Sequence, residues 1–240
     1  MPTVLREISR KSQRAMHLIW DFDGTLAHRE GGWAGACVSA LDDHDPDHGV
    51  RIEDVRPHLQ TGFPWHEPEK HHEWSSAAEW WNNLFPVFTG AFESNGLSPD
   101  RARLLARRVR STYVNEGWHV FADTRETLSR LADDGWTHVV LSNHVPELES
   151  IVGSLGLDAY VDTLYVSADI GYEKPHPKAF EPVCAAIEPD TTAWMIGDSY
   201  SADVRGAETV DIPAILVRRH HEDATHCVED LSAVASVVDR

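Results

Sequence analysis

The first apolar run in the chain, His17-Leu18-Ile19-Trp20, ends in Asp21-Phe22-Asp23 and then Gly24. A short apolar run closed by a glycine turn predicts a buried strand over residues 17–22. Similar runs recur at 137–141, 164–166, 193–196 and 212–217. Helical patterns separate them: Thr124 to Asp134 stopped by Gly135, Pro146 to Leu155 stopped by Gly156, Pro177 to Ile187, and Ala202 to Thr209. A last helix is predicted near Asp230 to Val237, and a polar lead-in over 1–15. Apolar strands alternating with helices predict an α/β fold with a parallel, doubly wound sheet.

Between Ala27 and Gly117 the texture changes to long loops and helical spacing. Asp42 to His48 and His66 to Glu73 read as polar loops. Trp74, Ala77, Ala78, Trp81, Phe85, Phe88 and Phe92 then recur at three- and four-residue steps, an amphipathic helix that Pro86 should break or kink near Phe85. Ser98-Pro99-Asp100 opens another helix, with Ser98 as N-cap and Pro99 at its first position. Its apolar face is Ala102, Leu105, Ala106, Val109 and Tyr113. Residues 27–117 thus read as an all-helical insertion directly after the first strand, in a core made of 1–26 and 118–240. Ligands of such sheets bind beyond the carboxyl ends of the strands, so the insertion is rooted at the mouth of the expected site, where it can act as a lid.

Composition narrows the partners. Of 240 residues, 42% are hydrophobic and 25% charged, as in an ordinary globular protein, and the formal net charge is −18. That charge argues against nucleic acid and anionic membranes as partners. The apolar run behind the basic residues Arg6 to Arg14 is too short for a signal peptide or membrane span. Cys37, Cys184 and Cys227 form no paired motif and read as packing residues in a reduced, cytoplasmic setting.

Polar residues stand where the strands give out. The first strand delivers Asp21 and Asp23 on one face, since side chains alternate along a strand. The strand at 137–141 delivers Ser142 and Asn143, and the strand at 193–196 delivers Asp198, with Asp203 five residues on. Before the latter, Gly171 to Pro177 forms a proline-flanked turn presenting Lys174. All would meet at one edge of the sheet, where buried carboxylates need a metal, a partner or a function.

Asp-Phe-Asp-Gly-Thr-Leu (21–26), Leu-Ser-Asn (141–143), Glu-Lys-Pro-His-Pro (173–177) and Gly-Asp-Ser-Tyr-Ser-Ala-Asp (197–203) resemble, in order and spacing, the four motifs of the haloacid-dehalogenase-like hydrolases. The insertion lies where members of that family carry a helical cap. The resemblance implies that Asp21 is a nucleophile forming an aspartyl-phosphate and that Asp23 is the general acid and base. Ser142 and the Asn143 backbone would hold the phosphoryl oxygens, and Lys174 would neutralise charge there. Gly24 permits the turn, and Thr25 adds a hydroxyl or backbone donor. Four carboxylates against one lysine would repel a phosphate dianion, which calls for Mg²⁺. By resemblance its ligands are Asp21, the Asp23 carbonyl and Asp198, with Asp203 in an outer ring.

A halide leaves carbon without a proton, whereas an alkoxide leaving phosphorus needs one. Asp23 therefore favours a phosphatase acting on a small phosphomonoester, monomeric or homodimeric, over a dehalogenase. A phosphomutase and a non-catalytic Mg²⁺- and phosphate-dependent interaction module are the remaining alternatives. A phosphonate-cleaving relative would need a cap lysine, and the only one is Lys70, in a polar loop. His58, His66, His71 and His72, with Glu67 and Glu73, match no metal-ligand spacing and read as a solvated loop. Arg101, Arg103, Arg107, Arg108 and Arg110 surround their helix as a solvated face, or send one or two members toward the substrate's distal part.

Overall fold

The computed structural model describes residues 16–187 and 191–238; the predicted lead-in lies outside them. Six strands, β1 (Met16–Trp20), β4 (Thr137–Ser142), β5 (Thr163–Val166), β6 (Thr192–Gly197), β7 (Ala214–Val217) and β8 (Cys227–Val228), form one parallel sheet. Their order is β5-β4-β1-β6-β7-β8. β1 lies between β4 and β6, with Trp20 opposite Val140 on one side and Ile196 on the other. Leu18, Ile19 and Trp20 are fully buried, as a strand covered on both faces requires. The chain moves outward on one side of β1 and then returns to build the other side, so the crevice at this switch point opens beside β1.

Helices of the insertion are α1 (Gly32–Asp42), α2 (Ile52–Val55), α3 (Ala77–Ser94) and α4 (Pro99–Asn115). The core carries α5 (Thr124–Asp133), α6 (Leu148–Ser154), α7 (Ser167–Ile170), α8 (Pro177–Ala186) and α9 (Gly206–Glu208). The insertion leaves and rejoins the core through a short antiparallel ribbon of β2 (Ala27–Arg29) and β3 (Trp118–Val120). Arg29, buried, ties this ribbon to the helices: Nη1 donates to the carbonyls of Glu30 and Gly32 at 3.1 and 3.0 Å, and Nη2 to that of Thr112 at 3.3 Å.

Several expectations need correction. α3 runs unbroken through Pro86. The proline deprives only the Asn82 carbonyl of a partner, and Asn82, Asn83 and Pro86 are all exposed, so water can serve it. Ser76 caps α3 by accepting the Glu79 N–H at 3.3 Å, so the helix starts after Trp74. Its buried stripe is accordingly Trp80, Trp81, Leu84, Phe88 and Phe92, while Ala78 is exposed. Ser98 does precede α4, without a side-chain capping bond, and all five expected apolar positions of that helix are buried. Residues 200–209 form a wide helical turn (Tyr200–Arg205) followed by α9, and the last helix splits into turns at Leu231–Ala233 and Ala235–Val238. Cys184 is exposed on α8 because Val183, its neighbour, takes the core-facing position. Among the described residues no helix is long and apolar enough to cross a membrane.

Candidate active site

Backbone geometry delivers the first motif. The Asp21 N–H donates to the Ile196 carbonyl at 2.9 Å, continuing the β1–β6 ladder one residue past the strand. The Phe22 carbonyl then accepts the N–H groups of Thr25, Leu26 and Ala27 at 3.2, 3.0 and 3.1 Å, curling the chain back into β2. Gly24 has φ +88°, and a Cβ there would sit 2.5 Å from Asp198 Oδ2, so glycine is required on both counts. Thr25 is fully buried beneath this turn with its hydroxyl unpartnered, and it does not line the cavity described below.

The predicted residues from separate strands meet around Asp21. Ser142, at the end of β4, donates its hydroxyl to Asp21 Oδ1 at 2.8 Å. Lys174 Nζ donates to Asp21 Oδ1 at 3.0 Å, to the Leu141 carbonyl at 2.8 Å and to Asp203 Oδ1 at 2.6 Å. Among the described residues no hydrogen bond is made to Asp21 Oδ2, which leaves one carboxylate oxygen for chemistry. The Asn143 side chain fixes the Lys174 turn: its Oδ1 accepts from Lys174 N at 2.7 Å, and its Nδ2 donates to the Lys174 carbonyl at 2.8 Å. Asp203 Oδ2 accepts the Ser199 N–H at 2.9 Å, so both its oxygens are engaged. Arg219 pairs with Asp198 Oδ2 at 2.9 Å.

Electrostatics follows from this crowding of acids. Burial, with the neighbouring Asp21 and Asp198 carboxylates, pushes Asp23 up to about 7. Burial and then Asp21 push Asp198 up to about 6, and burial pushes Glu173 up to about 7. Burial works against charge on Lys174, but the Asp203 and Asp21 carboxylates outweigh it and hold its pKa above the usual lysine value. Asp21, Asp198 and Asp203 each offer an oxygen within 4.8 Å of the others, the one such group of metal-ligating side chains among the described residues. Hard oxygen donors with excess negative charge suit Mg²⁺. The histidine-rich loop forms no such group.

A cavity of about 600 Å³ opens between the sheet edge and the insertion. The core contributes Asp21, Asp23, Ser142, Asn143 and Lys174, and the insertion contributes Trp33, Trp65, Pro68 and Tyr113. His144, which sequence reasoning passed over, also lines it; its ring is buried against Phe22, Tyr113 and Trp118 with neither nitrogen partnered. Burial pushes His144 down to about 4, so the imidazole is neutral at neutral pH. The only signal for it was its place directly after Ser142-Asn143. None of the α4 arginines lines the cavity: Arg101 pairs with Asp45, Arg103 with Asp100 and Arg110 with Glu147. Lys70 is exposed and pairs with Glu67 at 3.5 Å.

The family model for haloacid dehalogenase-like hydrolases matches residues 15–211, and the chain belongs to that family. A phosphoserine phosphatase of Thermus thermophilus is 34% identical over 140 residues, covering 55% of this chain and 53% of that protein. A phosphatase of Mycobacterium tuberculosis is 27% identical over 198 residues, covering 78% and 88%. The matches span 53% of the Thermus protein and 40% of a human haloacid dehalogenase-like hydrolase domain-containing protein 3, about half the length of these curated relatives. Among solved structures, a putative family hydrolase from Bacillus subtilis bound to magnesium superposes with a TM-score of 0.75 at 18% identity, covering 95% of this chain and 100% of that one. That likeness establishes the shared fold.

Proposed function

We propose that the protein is a Mg²⁺-dependent phosphatase of a small-molecule phosphomonoester. The observation that carries this reading is the fixing of Asp21 by Ser142 and Lys174 through a single oxygen, beside an Asp23 whose pKa is pushed up to about 7. Asp21 attacks phosphorus through its other oxygen, forming the aspartyl-phosphate as the ester oxygen departs. Asp23 gives that oxygen its proton. As a carboxylate it then takes a proton from the water that attacks the aspartyl-phosphate, which frees phosphate and restores Asp21. Lys174 and the Ser142 hydroxyl offset charge on the phosphoryl oxygens. Mg²⁺ would be held by Asp21, Asp198 and the Asp23 carbonyl, with Asp203 behind them, and would supply the positive charge that lets a phosphate dianion enter an acidic site.

The phosphatases among the relatives support this reading, and so does Asp23, which a halide-displacing enzyme would not need as an acid. Residues 27–117 serve as the lid over a core made of 1–26 and 118–240. The test is phosphate release from p-nitrophenyl phosphate and a metabolite panel, with and without Mg²⁺. Equal rates for the wild type and Asp21→Asn would overturn the proposal.

A further inference from the structure

The cavity has two halves of different chemistry. At its floor are the acids, Ser142 and Lys174; among the described residues its only lysine or arginine is Lys174, whose three Nζ hydrogen bonds all go to protein oxygens. Its roof is Trp33, Trp65, Pro68 and Tyr113. The Arg29 guanidinium, 5.7 Å from the Tyr113 ring centroid, is spent on three backbone carbonyls, and that of Arg219 is paired with Asp198 Oδ2 at 2.9 Å.

The roof is also fixed in place. Trp33 stacks on Tyr113 with ring centroids 3.8 Å apart and planes at 12°. Trp65 stacks on the buried Phe63 at 4.7 Å. The loop that follows is tied to the core where His72 N–H donates to the Gly171 carbonyl at 2.8 Å, three residues before Lys174. A carboxylate or second phosphate on the leaving group would therefore lie against rings with no uncommitted cation in the cavity lining to meet it, inside a protein of net charge −18. A buried anion without a partner is strongly disfavoured.

We infer that the leaving group of the substrate is an uncharged, largely apolar alcohol or phenol, received by the Trp33–Trp65–Tyr113 roof. The inference rests on the phosphatase reading for its orientation, phosphoryl group down and leaving group up. It separates this chain from the relatives named for phosphoserine and phosphoglycolate, whose substrates carry a carboxylate.

The test compares phenyl phosphate with 4-carboxyphenyl phosphate, whose leaving groups are similar in basicity and differ chiefly in charge. Phenyl phosphate is expected to win in kcat/KM by about tenfold or more, mostly through KM, as expected where one partner would bury an unpaired charge. Trp65→Lys, which places a cation in the roof, should reverse or erase that preference. Equal or better turnover of the carboxylate substrate by the wild type would overturn the inference. Phenylphosphonate and 4-carboxyphenylphosphonate binding, followed calorimetrically with Mg²⁺, gives a readout independent of turnover. Preferential binding of the neutral ligand without hydrolysis of any ester would sustain the inference and overturn the phosphatase reading. Equal binding of the two would overturn the inference.

Discussion

Lys174 Nζ lies 2.6 Å from Asp203 Oδ1 at a place where both side chains are only 1% exposed. Neither group can turn to water, so each depends on the other. Gly197 packs against the Asp203 carboxylate, so the strand end leaves room for it and nothing larger. Asp203 thus positions the lysine that faces Asp21. Asp203→Ala is expected to destabilise the fold by about 3–5 kcal/mol, the cost of orphaning a buried charge, measured by denaturant unfolding. Asp133→Ala, exposed on α5, is the control and should stay within about 0.5 kcal/mol of wild type.

Asp23 is assigned to protonating the leaving group, so its removal should matter in proportion to how much the leaving group needs a proton. Asp23→Asn is expected to lower kcat on an alkyl phosphate by about 10²–10⁴-fold. On p-nitrophenyl phosphate, which departs as a stable anion, the loss of formation of the aspartyl-phosphate should be much smaller. Pre-steady-state release of nitrophenol measures that step by itself.

The carboxyl groups of Asp23, Asp198 and Glu173 have folded pKa values raised to about 7, 6 and 7, and burial raises that of Asp203 as well. A carboxyl whose pKa is raised by folding favours the folded state while protonated and loses that contribution as pH rises through the folded pKa. His144, pushed down to about 4, acts oppositely, but its effect is complete once pH exceeds the ordinary histidine value. The Tm of the protein in chelator should therefore fall from about pH 6 to about pH 8. Mg²⁺ should raise Tm at both, and more at the higher pH, where the carboxylates it binds are ionised. A rise of Tm with pH in chelator would contradict the assigned shifts.

Arg29 holds the ribbon at the root of the insertion by three carbonyl hydrogen bonds. Replacing it with methionine keeps most of the buried stem and leaves those carbonyls unpaired. Arg29→Met should cost about 1–3 kcal/mol or more in denaturant unfolding, since each unmet buried acceptor carries a desolvation penalty.

Five of the sheet's six strands could be read from the chain because strands buried on both faces are plain apolar runs, whereas the two-residue edge strand β8 is too short to show as one; Asp21, Ser142 and Asp198 could be read because each is a polar residue where such a run stops. What escaped the sequence was set by contacts distant along the chain. α1 is Gly-Trp-Ala-Gly-Ala-Cys-Val-Ser-Ala-Leu-Asp, small residues with almost no polar face, so it carries no helical stripe. The β2–β3 ribbon is three residues long on each side and holds together partly through Arg29. Pro86 was a poor guide because its cost depends on which face of α3 it occupies. Trp33, Trp65 and His144 are ordinary in sequence, and only folding brings them to one cavity with Asp21.

The central claim is that Asp21 carries the phosphoryl group. Wild type turning over p-nitrophenyl phosphate with Mg²⁺ can be quenched in acid and its peptides analysed by mass spectrometry. A phosphoryl group on the wild-type peptide containing Asp21, absent from Asp21→Asn, is the predicted result. Turnover with no such modification, together with an Asp21→Asn variant that keeps its rate, would contradict it.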